Sequence, residues 1–122
     1  MILVDTSVWV DHLRAGNQKL SALLEASLVM THPFVIGELA LGNLSRRMFV
    51  LGALSDQPHA TLATDAEVLH FIEQHALFGR GIGYVDAHLL AAVSLTSGGA
   101  LWTRDKRLHG IADQLGLAAT RP

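Results

Sequence analysis

Short apolar segments alternate with helical patterns along this 122-residue chain, and this alternation constrains the fold more than any other feature. Four apolar segments predict buried strands: 1–4, 28–31, 100–103 and 117–119. Helical patterns lie between or after them: 7–14, 19–26, 33–41, 44–54, 64–77, 84–96 and 106–115. Because parallel strands need crossover helices, the order of segments predicts one α/β domain over residues 1–122. Its expected architecture is a three-layer α/β/α sandwich with a mainly parallel central sheet.

The composition excludes several other classes of protein. Half of the residues are hydrophobic and 16% are charged, which excludes a disordered tail. The chain has no cysteine, so it has neither disulfides nor thiolate metal sites. Its apolar start has no basic lead segment, and no apolar run approaches the roughly 20 residues of a membrane span. We therefore expect a cytoplasmic protein that makes no use of a membrane.

The charge balance limits how this chain can bind nucleic acid. Its net charge is −2, whereas proteins that bind nucleic acid mainly by neutralising phosphate are strongly basic. Binding to RNA would have to be local or assisted by a metal. Arg14, and Arg104 beside Asp105, are candidates for contacts with RNA phosphate, although such residues are as often simply solvated.

Four acidic residues occur at positions that the predicted topology brings together. Asp5 follows the first strand and Asp105 follows the strand at 100–103, so both are expected at the same edge of the sheet. Asp86 begins a long apolar helix and is expected to project toward that edge. Glu38 is the one acid in an apolar helix, where an unpaired carboxylate would be costly to bury. These positions predict one acidic site.

Each acid also has a structural explanation, because Asp5, Asp86 and Asp105 lie near helix starts and can cap free N–H groups, and Glu38 can face solvent. As a set, four like charges would repel one another unless a cation neutralised them. Ligands that are all oxygen favour Mg²⁺, with Mn²⁺ as a substitute. Such an ion can activate water and stabilise the leaving oxygen of a phosphodiester.

Three hydroxyl residues flank the acids: Thr6, Ser7 and Thr103. They are candidates for orienting the carboxylates or a water molecule, and a role as caps or turn residues is an equal alternative. The seven histidines show no spacing typical of metal ligands; His12 and His88 lie closest to the acidic motifs.

Four segments carry a resemblance to a known family: ILVDTSVWVDHLR, FVIGELALG, YVDAHLLAAV and LWTRDKRL. In this order and with these separations they resemble the PIN domain of VapC-type toxins, over nearly the whole chain. By motif, Asp5, Glu38, Asp86 and Asp105 match the acidic positions of the family. Thr103 matches the polar residue often found before the last acid.

The resemblance implies a PIN-like α/β/α sandwich and a Mg²⁺- or Mn²⁺-dependent endoribonuclease. It also implies the toxin of a type II toxin–antitoxin pair, which restrains translation and growth. The expected partners are a VapB-like antitoxin, an RNA substrate and a second copy of the chain in a homodimer. Residues 48–64 are not diagnostic, so the RNA target is not identified.

Two other functions are compatible with parts of the sequence. A receiver domain has similar length and architecture, and Asp56 would imitate its phosphorylated residue, but a receiver needs an acidic pair where Asp5 is followed by Thr6 and Ser7. A non-catalytic PIN-like interaction module is the stronger alternative, because a fold does not guarantee its chemistry. The presence of all four acids favours the enzyme.

Overall fold

Three parallel strands form the central sheet of the computed structural model, which describes residues 1–119. Strand β1 (Ile2–Val4) lies between β2 (Val29–Met30) and β3 (Ala100–Trp102). Leu3 pairs with Met30 on one side and with Leu101 on the other, and all three side chains are buried. The centre of the sheet is therefore also the centre of the hydrophobic core.

Seven helices surround this sheet within residues 1–119. In chain order they are α1 (Thr6–Ala15), α2 (Gln18–Glu25), α3 (Pro33–Ala40), α4 (Arg47–Ser55), α5 (Asp65–Gln74), α6 (Tyr84–Leu95) and α7 (Lys106–Gln114). Helices α6 and α7 pack against β3, α3 packs against α1 and α4, and α5 packs against α6. The predicted α/β fold with a parallel sheet is confirmed.

Helix α6 is the most deeply buried helix because its sequence is apolar on almost every face. All side chains from Ala87 to Val93 are buried, including the imidazole of His88. A helix that is hydrophobic all round is stable only when other elements cover it, and here α5 and β3 do so. Asp86, in its first turn, is only half-buried and lies at the rim of the core.

Side-chain caps determine where several helices begin. Asp5, Asn17 and Asp105 are the N-caps of α1, α2 and α7, and each side chain accepts a hydrogen bond from a backbone N–H of the first turn. The capping box predicted at the start of α5 is confirmed: Thr64 N donates to Glu67 Oε1 at 2.9 Å, and Glu67 N donates to Thr64 Oγ1 at 3.1 Å.

Three helices end in the same way, with a residue at positive φ followed by leucine. The residues at positive φ are Ser27 after α2, Ala76 after α5 and Gly116 after α7. After α5, Ala76 N donates to Glu73 O and Leu77 N donates to Ile72 O, which is the Schellman pattern. The helix predicted to run to Leu77 therefore ends at Gln74.

Two other predicted boundaries are wrong. Helix α4 begins at Arg47 and not at Leu44, because Arg46 before it has φ 53°, outside the helical region. The strand predicted at 117–119 is reduced to one isolated bridge between Leu101 and Ala118. The predicted domain also includes residues 120–122, which lie outside the described residues. In the described part of the chain, no helix is long and apolar enough to cross a membrane.

Candidate active site

Asp5 is the buried centre of the acidic region. It follows β1 directly, and its backbone N donates to Trp102 O at 2.9 Å, which extends the pairing of β1 with β3. The side chain is 7% exposed. Thr6 N donates to Oδ1 at 2.8 Å, while the hydroxyls of Ser7 and Thr103 donate to Oδ2 at 3.1 and 2.7 Å. These donors offset much of the cost of burying the carboxylate.

The same two hydroxyls connect Asp5 to the segment that carries Asp105. Ser7 Oγ accepts a hydrogen bond from Arg104 N, and Thr103 Oγ1 accepts one from Asp105 N, both at 3.1 Å. Each hydroxyl therefore donates to a carboxylate and accepts from the backbone. The hydroxyl residues predicted beside the acids thus contact them directly and restrict the orientation of Asp5.

Glu38 reaches the site from α3. Thr6 Oγ1 donates to Glu38 Oε1 at 2.6 Å, so the third predicted hydroxyl residue joins α3 to the start of α1. The glutamate is exposed, so its carboxylate does not carry the cost of burial in an apolar environment. The apolar residues near it in sequence, such as Val35 and Leu39, are buried in the core.

Asp86 shows the electrostatic effect of bringing these groups together. Burial is the main cause that raises its pKa, and the negative charges of Asp5, Asp105 and Glu38 raise that pKa further. A hydrogen bond from Gly83 N to Asp86 Oδ2, at 3.0 Å, acts in the opposite direction. Each of the other three predicted acids is therefore close enough to Asp86 to disfavour its charged form.

Asp105 combines a capping role with a place in this cluster. Its Oδ1 accepts a hydrogen bond from Leu108 N at 3.0 Å, and its side chain is exposed. Within residues 1–119, Asp86, Asp105 and Glu38 each keep one carboxylate oxygen without a protein donor. The capping and acidic-site interpretations of these residues are therefore compatible, because capping uses only one oxygen.

The donor set fits a hydrated hard cation better than a closed metal cage. Among the residues that the structure describes, no three His, Cys, Asp or Glu side chains converge on one point that could hold an ion. Mg²⁺ usually keeps several waters and binds through one or two carboxylates together with substrate phosphate oxygens. Carboxylate oxygens that have no protein donor and do not converge on one point are compatible with that coordination, and the repulsion at Asp86 favours a cation.

Comparison with known proteins identifies the family. The PIN domain model matches residues 2–114. Ribonuclease VapC32, in two strains of Mycobacterium tuberculosis (CDC 1551 / Oshkosh and ATCC 25618 / H37Rv), is 48% identical over 118 residues, which are 97% of this chain and 95% of the relative. This chain belongs to the PIN domain family, among the VapC-type ribonucleases. A receiver domain is thereby excluded, and Asp56 caps the end of α4.

A solved structure supports the PIN fold independently. The crystal structure of FitAcB from Neisseria gonorrhoeae superposes with a TM-score of 0.62, covering 93% of this chain and 94% of that one. The sequence identity is 22%, so the likeness shows the fold alone. The PIN architecture is therefore supported both by sequence and by three-dimensional shape.

The two arginines predicted to contact RNA share one acidic partner in this PIN domain. The guanidinium of Arg104 forms a hydrogen-bonded ion pair with Asp11, and Arg14 Nη2 lies 3.6 Å from Asp11 Oδ1. Both arginines are exposed. The predicted site does not include Asp11, although its position three residues before Arg14 on a helix is typical of an ion pair.

A cluster of aromatic and histidine side chains connects α3 with α6, and the sequence patterns did not predict it. His32, Phe34 and His88 pack edge to face, with Phe34 and His88 ring centroids 4.7 Å apart. His88 Nε2 lies 3.1 Å from Asp65 Oδ1, and Tyr84 donates to the same oxygen at 3.0 Å. The cluster joins the start of α3 to the start of α6 and so relates the helices of Glu38 and Asp86.

His12 has a structural role. Its Nδ1 accepts a hydrogen bond from Asn17 N at 3.0 Å, at the turn between α1 and α2, and its ring packs edge to face on Trp9. Neither His12 nor His88 belongs to a metal-binding group among residues 1–119.

Proposed function

We propose that this chain is a Mg²⁺-dependent endoribonuclease that hydrolyses RNA phosphodiester bonds at the cluster of Asp5, Glu38, Asp86 and Asp105. The observation that carries the proposal is electrostatic: burial, and then the charges of three other carboxylates, raise the pKa of Asp86, and a divalent cation would relieve this unfavourable arrangement. The high identity to proteins named Ribonuclease VapC32 supports RNA as the substrate class.

The residues of the cluster have different tasks in this proposal. When bound, Mg²⁺ or Mn²⁺ supplies the activation of water and the stabilisation of the leaving oxygen. Asp86, Asp105 and Glu38 use their free oxygens to hold the ion or its waters. Asp5 contributes negative charge at a fixed position, because Ser7 and Thr103 orient its carboxylate. Thr6 orients Glu38.

Binding of Mn²⁺, followed by electron paramagnetic resonance, tests the metal site without any RNA. The wild-type chain is expected to bind Mn²⁺, and Asp5→Asn and Asp86→Asn are each expected to weaken binding about tenfold or more. Asp113→Asn, which removes an exposed acid of α7 outside the cluster, is the matched control. Equal Mn²⁺ affinity in all four proteins would exclude this cluster as the metal site.

We further propose that the chain is the toxin of a type II toxin–antitoxin pair, acts in the cytoplasm, forms a homodimer and is inhibited by a VapB-like antitoxin. The VapC name of the relatives supports the pairing. Large apolar side chains are exposed on the α3–α4 hairpin, including Leu41 at 91% and Met48 at 82%, as is common on surfaces that protein partners cover. Light scattering of the purified chain tests the homodimer directly.

Growth of cells that express the chain separates the enzyme from a non-catalytic PIN-like module. The wild type is expected to arrest growth, and Asp5→Asn is expected to relieve the arrest while still binding the antitoxin. Arrest that persists in Asp5→Asn would favour the non-catalytic module, because that variant loses catalysis and keeps the surface. Co-purification of Asp5→Asn with the antitoxin shows that the variant is folded.

A further inference from the structure

A pocket of about 500 Å³ opens beside the acidic cluster, and the proposed catalysis does not use it. It lies at the turn between α1 and α2, next to the end of β3. Its lining residues are Gly16, Asn17, Gln18, Lys19, Trp102 and Arg104. Its volume is in the range of pockets that accept small ligands. The lining combines one large aromatic side chain with two cations and two amides.

The pocket and the acids share one stretch of backbone. Trp102 O accepts the hydrogen bond from Asp5 N, and Thr103, the next residue, donates to Asp5 Oδ2. Arg104 N donates to Ser7 Oγ, which in turn donates to Asp5. A nucleic acid strand with its scissile phosphate at the acids would therefore place a neighbouring nucleotide at this pocket.

The chemistry of the lining matches a nucleotide with an unstacked base. The half-buried Trp102 follows the fully buried Leu101 on β3, so its indole lies on the other face of the strand, where a base can stack. Asn17 Oδ1 accepts from Leu20 N, which leaves the Nδ2 amide free to donate to a base edge.

The two cations of the pocket, Lys19 and Arg104, differ in whether an acidic side chain already pairs with them. Lys19 is exposed and, within residues 1–119, forms no ion pair, so its ammonium can approach a phosphate. Arg104 is held by Asp11, which restricts its guanidinium to the side of the pocket. This local positive charge would supply phosphate contacts in a chain whose net charge is −2.

We propose that this pocket binds one unstacked base of single-stranded RNA next to the cleaved bond, with Trp102 stacking on the base and Lys19 contacting the phosphate. The assignment rests on the proposed ribonuclease function. Trp102 and Lys19 are positioning residues in this scheme, because they contact the substrate away from the reacting atoms.

Tryptophan fluorescence measures binding at this pocket without cleavage. The chain has two tryptophans, and Trp9 is only 5% exposed, so a change on titration with RNA reports mainly on Trp102. In EDTA, single-stranded tetra-adenylate and tetra-uridylate are expected to quench the emission, whereas an abasic oligomer of the same length is not. In Trp102→Phe, which retains only Trp9, the quenching is expected to disappear.

Cleavage kinetics with Mg²⁺ provide the second measurement. Trp102→Leu keeps apolar volume but loses the aromatic ring, so KM is expected to rise about five- to a hundredfold with kcat nearly unchanged. Trp102→Phe keeps a ring and is expected to stay within about threefold of the wild-type KM. Lys19→Gln, a surface change that leaves the core intact, is expected to lower the slope of log affinity against log salt by about 0.7.

The outcomes distinguish this inference from the proposed function. The base site would be overturned, and the ribonuclease left intact, by three results together. The wild type would cleave RNA without quenching, Trp102→Leu would leave KM unchanged, and Lys19→Gln would leave the salt slope unchanged. Base-dependent quenching in a chain that cleaves no RNA would support the base site and overturn the ribonuclease. Equal quenching by the abasic oligomer and the intact oligomers would overturn the base site, because stacking requires a base.

Discussion

The hydroxyl of Thr103 connects two members of the acidic cluster, because it donates to Asp5 Oδ2 and accepts from Asp105 N. Thr103→Val keeps the shape of the side chain and removes both hydrogen bonds. It leaves one donor fewer on a buried carboxylate, so we expect it to lower the free energy of unfolding by about 1 to 3 kcal/mol in the absence of metal. Urea denaturation in EDTA measures this loss.

Thr103→Ser is the matched control, since it keeps the hydroxyl and removes only a methyl group. We expect its free energy of unfolding to be about 1 kcal/mol below the wild-type value at most. Mn²⁺ affinity is expected to fall about tenfold in Thr103→Val and to stay near the wild-type value in Thr103→Ser. Equal losses of Mn²⁺ affinity in the two variants would show that the hydroxyl does not support the site.

Asp86 should make the metal-free protein less stable as the pH rises. Its pKa in the folded chain lies above the ordinary value of 3.8, first because of burial and then because of its acidic neighbours. Folding therefore favours its protonated form, and this contribution to stability is fully present below about pH 3.8 and is lost as the pH rises through the raised pKa.

Asp86→Asn tests this effect, because its amide oxygen can still accept from Gly83 N. In EDTA at pH 7 we expect the variant to melt a few degrees, roughly 2 to 5 °C, above the wild type. Added Mg²⁺ is expected to raise the Tm of the wild type more than that of the variant. A metal-free variant that melts below the wild type at pH 7 would contradict the repulsion in the cluster.

His32 should produce the opposite dependence on pH. Burial, followed by the charges of His88 and His59, lowers its pKa from 6.5 to about 4. Its contribution to stability is therefore fully present above pH 6.5 and is lost as the pH falls toward 4, by at most about 1.4 kcal/mol for each pH unit. The folded chain resists protonation here because the imidazole is 2% exposed.

His32→Asn removes this titration and keeps the cap of α3, where Phe34 N donates to His32 Nδ1 at 3.0 Å. We expect the free energy of unfolding of this variant to fall less steeply than the wild-type value between pH 6.5 and 4, as measured by urea denaturation at several pH values. His109→Asn, at an exposed position of α7, is the control. Identical slopes for wild type and His32→Asn would show that His32 is not protected from protonation.

At the scale of elements, the end of α5 offers a stabilising substitution. Ala76 adopts φ 49°, a conformation that costs an L-residue roughly 1 to 2 kcal/mol and glycine almost nothing. Part of the gain is offset by the greater freedom of glycine in the unfolded chain. We therefore expect Ala76→Gly to raise the free energy of unfolding by about 0.5 to 1 kcal/mol.

Ala53→Gly is the control, because Ala53 lies inside α4 with helical geometry and an exposed side chain. There the same change is expected to lower the free energy of unfolding by about 1 kcal/mol. Denaturation of the two variants under identical conditions compares them. The same sign for both changes would show that the conformation of Ala76 is not strained.

Helix boundaries that are marked by their residue types could be predicted from the sequence, and boundaries that depend on an unusual backbone conformation could not. Thr64 and Glu67 form a capping box whose residue types and spacing determine its hydrogen bonds. Ala76 ends a helix without the glycine that usually marks such an end, so the sequence predicted continuation to Leu77. Arg46 likewise has a left-handed conformation that its residue type does not indicate, so α4 begins three residues later than predicted.

For the molecule as a whole, topology explains which parts of the site could be predicted. Asp5 and Asp105 follow adjacent parallel strands, so the order of strands alone places them at one edge. The contact of Thr6 with Glu38 depends on how closely α1 approaches α3, and the sequence does not encode that distance in any local pattern. The pocket at Trp102 depends in the same way on three elements that meet only in the folded chain.

The charge distribution of the whole chain limits how RNA can bind at the acids. A chain with a net charge of −2 and a cluster of four acids would repel the scissile phosphate, so we expect cleavage to require a divalent cation that neutralises the acids and connects them to that phosphate. Activity should therefore depend entirely on metal and on Asp5, which is the most buried and most fully hydrogen-bonded of the four acids.

Cleavage of total cellular RNA by the purified chain, freed of antitoxin, measures whether activity depends on metal and on Asp5. The reactions contain Mg²⁺, Mn²⁺ or EDTA, with Asp5→Asn in parallel. We predict discrete fragments with either metal, and none in EDTA or with the variant. Any one of three results would contradict a metal-dependent ribonuclease at this site. They are cleavage that persists in EDTA, cleavage by Asp5→Asn at the wild-type rate, and no cleavage by a wild-type chain that binds Mn²⁺.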